Sequence, residues 1–334
     1  MNPVLEVRGL SVEIPTASAT LRPVRDVSFD LHPGETLSLV GESGSGKSMT
    51  ALAIIDLLPR QARRSVERLR FLGEDLAGKS AGEIGRLRGA EIGMVFQDPM
   101  TSLNPVYTVG NQLMEVYLRH KNASKREARE RALFLLDKVN IPDPALRLCQ
   151  YPHQLSGGLR QRVMIAMALM CGPALIIADE PTTALDVTTQ SQILDLLRSL
   201  QSEFHMAMIL ITHDLGVVAH FADRVSVMYA GEIVEQASTD DLLERPMHPY
   251  TAALLDCIPV PGSSRHGGKL RSIPGVVPLI TSGDQGCAFR RRCDHAQDVC
   301  KNAGITMREL SGGHKFRCVL LPRNNADVAM KNHA

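Results

Sequence analysis

The sequence predicts an α/β fold, and three observations carry the prediction. A buried strand, a glycine-rich loop of phosphate-binding pattern and a helix follow one another from Thr36 to Leu58. Further short apolar runs end in polar or acidic residues, as strands of a buried parallel sheet do where they deliver side chains to a ligand. Between those runs lie longer segments whose apolar residues recur at helical spacing.

The loop Gly41-Glu42-Ser43-Gly44-Ser45-Gly46-Lys47-Ser48 fits G-x-x-x-x-G-K-[ST] at every fixed position. Thr36-Leu37-Ser38-Leu39-Val40 reads as the strand before it, and Met49 to Leu58 as a helix stopped by Pro59. The glycines let successive backbone N–H groups curl toward a phosphate, and the helix N-terminus adds its positive end. Lys47 would then reach the terminal phosphates and the Ser48 hydroxyl would bind Mg2+. The plainer alternative is a flexible Gly/Ser turn; Lys47 and Ser48 falling in register argue against it.

At 334 residues the chain can bury a sizeable core, with room for one large domain and an appendage. Its net charge of +1 is close to neutral, so nothing in the charge balance argues for a nucleic-acid partner, and none is expected. No apolar run is long enough to span a bilayer, and no basic flank precedes an apolar N-terminal stretch. The expectation is a cytosolic protein, or one held at a membrane by other proteins. Seven cysteines without a secretion signal read as thiols or metal ligands rather than disulfides.

Taken in order, residues 4–12 and 27–31 alternate apolar and polar, as half-exposed strands do, and Pro33-Gly34 turns the chain into the phosphate-loop strand. Ile92 to Phe96 is a second buried strand that ends at Gln97, where Asp98-Pro99 breaks regular structure. From Val109 to Val139 helical spacing recurs among many charges, which predicts a helical subdomain whose charge run is a solvated face. Leu155-Ser156-Gly157-Gly158 precedes an apolar helix from Arg162 to Met170 and offers a second anion site, or else an ordinary cap by Ser156. Ala174 to Ala178 leads to Asp179-Glu180; alternation along a strand gives the two carboxylates different neighbours, Asp179 suiting an Mg2+ contact and Glu180 a base for the attacking water. After a polar loop at 182–186 and a helix at 190–199, Ala207 to Ile211 delivers Thr212-His213-Asp214 to the same edge. His213 there would bond a phosphate or the water. Val225–Tyr229 and Glu232–Glu235 form a hairpin across Ala230-Gly231.

With these motifs in this order, residues 4 to about 260 resemble the ATP-binding subunit of ATP-binding cassette (ABC) transporters. The resemblance implies a P-loop NTPase (RecA-like) core with an N-terminal antiparallel β layer, a helical signature subdomain at about 98–165, and ATP with Mg2+ as ligands. It makes 41–48 the phosphate loop, Gln97 the loop residue that senses the terminal phosphate and joins Ser48 and Asp179 at Mg2+, Ser156-Gly157-Gly158 the signature, Asp186 the Asp-loop residue and His213 the switch. It also implies a head-to-tail dimer with a second ATP-binding subunit, identical or related, in which the signature serves the partner's nucleotide. Two transmembrane permease subunits and, indirectly, a periplasmic or extracellular solute-binding protein complete the implied assembly at the cytoplasmic face of the inner membrane.

Phe96-Gln97-Asp98-Pro99-Met100-Thr101-Ser102-Leu103-Asn104-Pro105, Tyr151-Pro152-His153-Gln154-Leu155 and His248-Pro249-Tyr250-Thr251 are similar to the di- and oligopeptide importers. Leu159 stands where the wider family usually has Gln, which is common among peptide-importer relatives. No aromatic residue precedes Phe29 to stack on adenine, which leaves Ile14 or a nearby apolar side chain for the ring. Nickel, glutathione or another small solute is an alternative cargo. A soluble cassette ATPase of DNA repair or translation is the alternative class, disfavoured by a single phosphate loop and no sustained heptads.

After Pro259-Val260-Pro261-Gly262 the composition shifts, which reads as a linker into an extension at 261–334 carrying Cys287, Cys293, Cys300 and Cys318. So little apolar mass makes a metal crosslink a plausible stabiliser, yet the spacing matches no common zinc or ferredoxin run. The resemblance supplies a [4Fe-4S] cluster, as in the extension of some peptide-importer ATPases; zinc and separate free thiols stay open. Arg290, Arg291 and Arg292 would offset the charge of the thiolates. Cys149, Cys171 and Cys257 read as packing residues.

Overall fold

The computed structural model describes residues 2–183, 185–258, 272–302, 304–310 and 312–320, so the linker reading at 259–262 lies outside the described residues. Two strands, β1 (Leu5–Pro15) and β2 (Thr20–Leu31), form an antiparallel ribbon at the N-terminus. Leu5, Val7, Leu10 and Val12 of β1 are fully buried, and the inward register steps from odd to even positions at Gly9. Gly9 has φ 62° and the pairing shifts there, as a bulge residue requires. Strands β4 (Arg63–Ser65), β5 (Arg68–Phe71) and β6 (Glu74–Asp75) complete this layer on the far side of β1.

The second sheet is built on five parallel strands in the order β10-β3-β9-β8-β7, where β3 is Thr36–Val40, β7 Ile92–Val95, β8 Leu175–Asp179, β9 Ala207–Thr212 and β10 Arg224–Tyr229. Every residue of β3, β8 and β9 is buried, because both faces are covered; their sequences accordingly read as apolar runs. β11 (Glu232–Ser238) extends the sheet antiparallel through Ala230 and Gly231, both at positive φ as a tight hairpin turn demands.

Helix α1 (Lys47–Ile54) is shorter than its periodicity suggests. Asp56 takes a left-handed conformation (φ 56°), Leu57 N donates to Leu52 O at 2.8 Å and Asp56 N to Ala53 O at 3.4 Å. That paired closure ends the helix before Pro59 is reached. α2 (Ala81–Leu87) precedes β7, and the segment after β7 folds as α3 (Pro99–Ser102), α4 (Val109–His120), α5 (Lys125–Lys138), α6 (Pro144–Arg147) and α7 (Gly157–Ala168). Within the helical segment read from 109 to 139 the chain forms two helices, α4 and α5. Ser124 N donates to Glu127 Oε2 at 2.7 Å and Glu127 N to Ser124 Oγ at 3.3 Å, a reciprocal cap that starts α5 afresh. Helices α4, α5 and α7 share one core around Leu113, Leu135, Leu136 and Val163, all fully buried.

α8 (Val187–Phe204) runs longer than the expected 190–199, from a cap at Asp186 to His205 at φ 52°. α9 (Leu215–Phe221), α10 (Thr239–Glu244) and α11 (Pro249–Asp256) follow. The described tail then lies on both sheets: Arg22 N donates to Ile280 O at 2.8 Å, while β13 (Lys315–Phe316) pairs with β11 and with β12 (Arg308–Glu309). Composition alone held no hint of this register.

Candidate functional site

The phosphate-type loop joins β3 to α1 and is shaped by close approaches that only glycine permits. A Cβ on Gly41 would lie 2.2 Å from Met228 O, and one on Gly46, which sits at φ 103°, 2.3 Å from Pro23 O. Ser43 and Gly44 form the exposed tip and Ser45 is fully buried, its backbone O accepting from Gly231 N at 2.9 Å. Lys47 reaches back across the loop, and Nζ donates to Gly41 O at 2.8 Å and Glu42 O at 3.0 Å. Burial holds its ammonium below the usual lysine range against the pull of Glu180, Asp179 and Glu42.

At the carboxyl end of β8 the two acids take different neighbours. Ser48 Oγ donates to Asp179 Oδ1 at 2.9 Å. Burial raises the Asp179 carboxyl above the usual carboxylate range, opposed by that hydrogen bond and by Lys47, so a cation at this point would be welcomed. Glu180, at φ 45°, leaves the strand with its N–H on Ile211 O at 2.9 Å and its carboxylate turned to a different set of partners. Oε2 accepts from Gln97 Nε2 at 3.1 Å and from Thr183 Oγ1 at 2.8 Å, and His213 Nδ1 stands 3.4 Å away. β7 delivers Gln97 and β9 delivers His213, so three adjacent parallel strands converge on one carboxylate. Thr183 is the member that sequence reasoning missed; a threonine in a polar loop carries no periodic or motif signal.

Ser156, Gly157, Gly158 and Asp186 form a separate group. Ser156 Oγ caps α7 by accepting from Leu159 N at 3.4 Å. A Cβ on Gly158 would lie 3.1 Å from Thr189 Cγ2, and one on Gly157 3.8 Å from Leu185 Cδ2, so the signature glycines pack on the start of α8. Asp186 caps that helix, accepting from Thr189 N at 3.0 Å and from its hydroxyl at 2.7 Å; these bonds lower its pKa. Among the described residues no hydrogen bond joins Ser156 to the phosphate loop.

The tail cysteines converge. Burial and repulsion from Cys300, Cys318 and Cys293 push the Cys287 thiol up to about 11, and Cys293 and Cys318 are raised for the same reasons. Among the described residues, no three His, Cys, Asp or Glu side chains stand at the spacing of ligands around a single ion. The expectation that Arg290 to Arg292 offset these thiolates is corrected at Arg292, whose guanidinium turns away to Glu42, NH1 to Oε2 at 2.7 Å and NH2 to Oε1 at 3.0 Å. Arg290 NH1 is likewise engaged, donating to the carbonyls of Gln285 and Cys287.

A phosphate-type loop after an interior strand of a parallel sheet, with a half-buried Ser–Asp pair and a glutamate held by Gln and His, defines an NTP-hydrolysing P-loop protein. Residues 24–183 match the ABC transporter family, and residues 234–300 match the oligopeptide/dipeptide transporter C-terminal region. The chain is 50% identical to the dipeptide transport ATP-binding protein DppD of Bacillus subtilis over 323 residues, 96% of this chain and 95% of that one. To the DppD of Escherichia coli it is 49% identical over 315 residues, 94% and 96% of the two chains. Among solved structures, an ATP-binding cassette captured as a dimer in a post-hydrolysis state with ADP and Pi superposes with a TM-score of 0.63 at 28% identity, covering 70% of this chain and 98% of that one. The cbiO1 subunit of the cbiONQ ABC transporter complex of Clostridium perfringens gives a TM-score of 0.62 at 26% identity over 73% and 92%.

The chain belongs to the family of ABC transporter ATP-binding subunits. It is an ABC-type ATPase with a P-loop core, for which ATP and Mg2+ are the ligands. No helix among the described residues is long and apolar enough to cross a membrane.

Proposed function

We propose that this chain is the energy-coupling ATPase of a membrane importer for di- or oligopeptides, bound peripherally at the cytoplasmic face of the inner membrane. The observation that carries the reading is the Glu180 carboxylate, gripped by Gln97, Thr183 and His213 beside the Ser48–Asp179 pair. Residues 41–48 would cradle the phosphates, with Lys47 leaving its two carbonyl acceptors for them. Ser48, Asp179 and Gln97 would hold Mg2+, which neutralises phosphate charge when bound. Glu180 would polarise the attacking water, with His213 orienting it. Ser156, Gly157, Gly158 and Asp186 would complete the nucleotide site of a second ATP-binding subunit in a head-to-tail dimer, which fits their separation from this chain's own loop.

Peptide cargo is supported by whole-length likeness to two dipeptide transport proteins and by the matched C-terminal region. Four large exposed apolar side chains, Phe96, Met100, Val106 and Tyr107, crowd the segment after β7 and suit docking of the permease subunits. We take the cassette as residues 1–260, with the helical unit at about 98–165, and 261–334 as the extension. Within the extension, the mutual repulsion among the thiols of Cys287, Cys293, Cys300 and Cys318 supports their sharing one group, for which the resemblance to peptide-importer ATPases puts a [4Fe-4S] cluster ahead of zinc. Such a group would crosslink 287–300 to Cys318. Iron analysis and visible absorption of anaerobically purified protein test it; a colourless, iron-free, folded chain ends the idea.

The test of the function is uptake of labelled dipeptide by cells lacking this chain. Restoration by the parent, but not by Lys47→Ala, together with co-purification of integral membrane subunits from detergent, is expected. Equal uptake with Lys47→Ala overturns the reading.

A further inference from the structure

We infer that Arg292, in the C-terminal extension, is a positioning residue for the phosphate loop, so that the extension sets how tightly the cassette holds nucleotide. The inference rests on reading 41–48 as the ATP cradle. Arg292 lies 250 residues from Glu42, yet its side chain is only 5% exposed and all five of its N–H donors are used on a fixed set of oxygens. Two form the fork on Glu42; NH1 also donates to Tyr229 OH at 3.3 Å, NH2 to Ile273 O at 3.0 Å and Nε to Pro274 O at 2.7 Å. A planar guanidinium saturated in this way has one orientation, and a lysine ammonium cannot reproduce it.

Glu42 is where that rigidity enters the loop. Its N–H donates to Tyr250 OH at 2.9 Å, and its carbonyl accepts both from Lys47 Nζ at 3.0 Å and from Ser45 N at 3.2 Å. Side chain, N–H and carbonyl of one residue are thus each tied, and the carbonyl is an acceptor that Lys47 must exchange for phosphate. The partners beneath are stiff: the Tyr229, Tyr250 and Phe289 rings pack with centroids 4.6 to 5.3 Å apart, and the Arg292 guanidinium lies 5.8 Å from the Tyr229 ring centre. Phe289 and Arg292 come from the extension, Tyr229 and Tyr250 from the cassette side. Were the pair mere surface glue, its loss would cost stability and leave affinity alone. Because it ends on the second residue of the loop, its loss should instead free the backbone that must be held still for N–H groups to converge on phosphate.

The experiment measures nucleotide affinity and steady-state ATPase kinetics on the full chain in its transporter complex, for the parent, Arg292→Gln, Glu42→Gln, the double variant and Arg292→Lys. Each single Gln variant should raise the dissociation constant for Mg-ATP and KM by about tenfold, with kcat within about threefold. The double variant should be no worse than either single one, and Arg292→Lys should fall between. Parental affinity and KM in the single variants, or additive losses in the double, overturn the inference. Should Arg292→Gln fail to fold, Glu42→Gln decides alone, since it breaks the pair from the loop side and leaves Arg292 its other three acceptors. A parent that binds no nucleotide, or binds it no better than Lys47→Ala, removes the cradle reading and this inference with it.

Discussion

Acidification should loosen the turn that carries Tyr250 to the phosphate loop, through one histidine. His248 is 2% exposed, and its ring Nδ1 accepts from Tyr250 N at 3.0 Å as the cap of α11, a bond that needs a neutral ring nitrogen. Burial lowers its pKa from 6.5 to about 4, with Glu235 pulling weakly the other way. Between those values the unfolded chain binds a proton that the folded chain refuses, so stability falls as pH drops through that window. Going from about pH 7 to about pH 5 this one group removes about 2 kcal/mol of folding stability. His248→Asn keeps a capping oxygen and does not titrate. Urea unfolding of both chains at the two pH values isolates the effect, because the rest of the chain is common to both. The parent should lose about 2 kcal/mol more than the variant. Equal losses would refute the claim that this ring is kept neutral by its burial.

Two predictions concern the carboxylate at the end of β8. Glu180→Gln should keep ATP binding and lose about 10²–10⁴-fold in kcat, as measured by phosphate release; near-parental turnover removes it from the role of base. Thr183→Val, which deletes the 2.8 Å donor to Glu180 Oε2 without changing shape, should lower kcat by about threefold to tenfold with KM unchanged. A shift in KM alone would mean that Thr183 serves binding instead.

Much of the site is legible in sequence because its chemistry is contiguous there. The loop 41–48, the Asp179-Glu180 pair and the Thr212-His213-Asp214 terminus each sit at the end of a short apolar run that reads as a buried strand and is one. Boundaries are harder to read. The S-x-x-E of Ser124 and Glu127 marks the start of α5 but is overlooked inside a helical-period run, and the closure of α1 at Asp56 follows a left-handed turn that no propensity flags.

The sequence by itself determined the phosphate-type loop, the buried strands of the parallel sheet and the family, because each depends on residues close together along the chain. Only the tertiary structure decided that Thr183 grips Glu180, that the tail pairs with β11, and that Arg292 and Tyr250 hold Glu42 across separations of 250 and 208 residues. Such contacts follow from how strands stack in space, and periodicity along the chain holds no record of which distant side chain a fold will bring to a given oxygen.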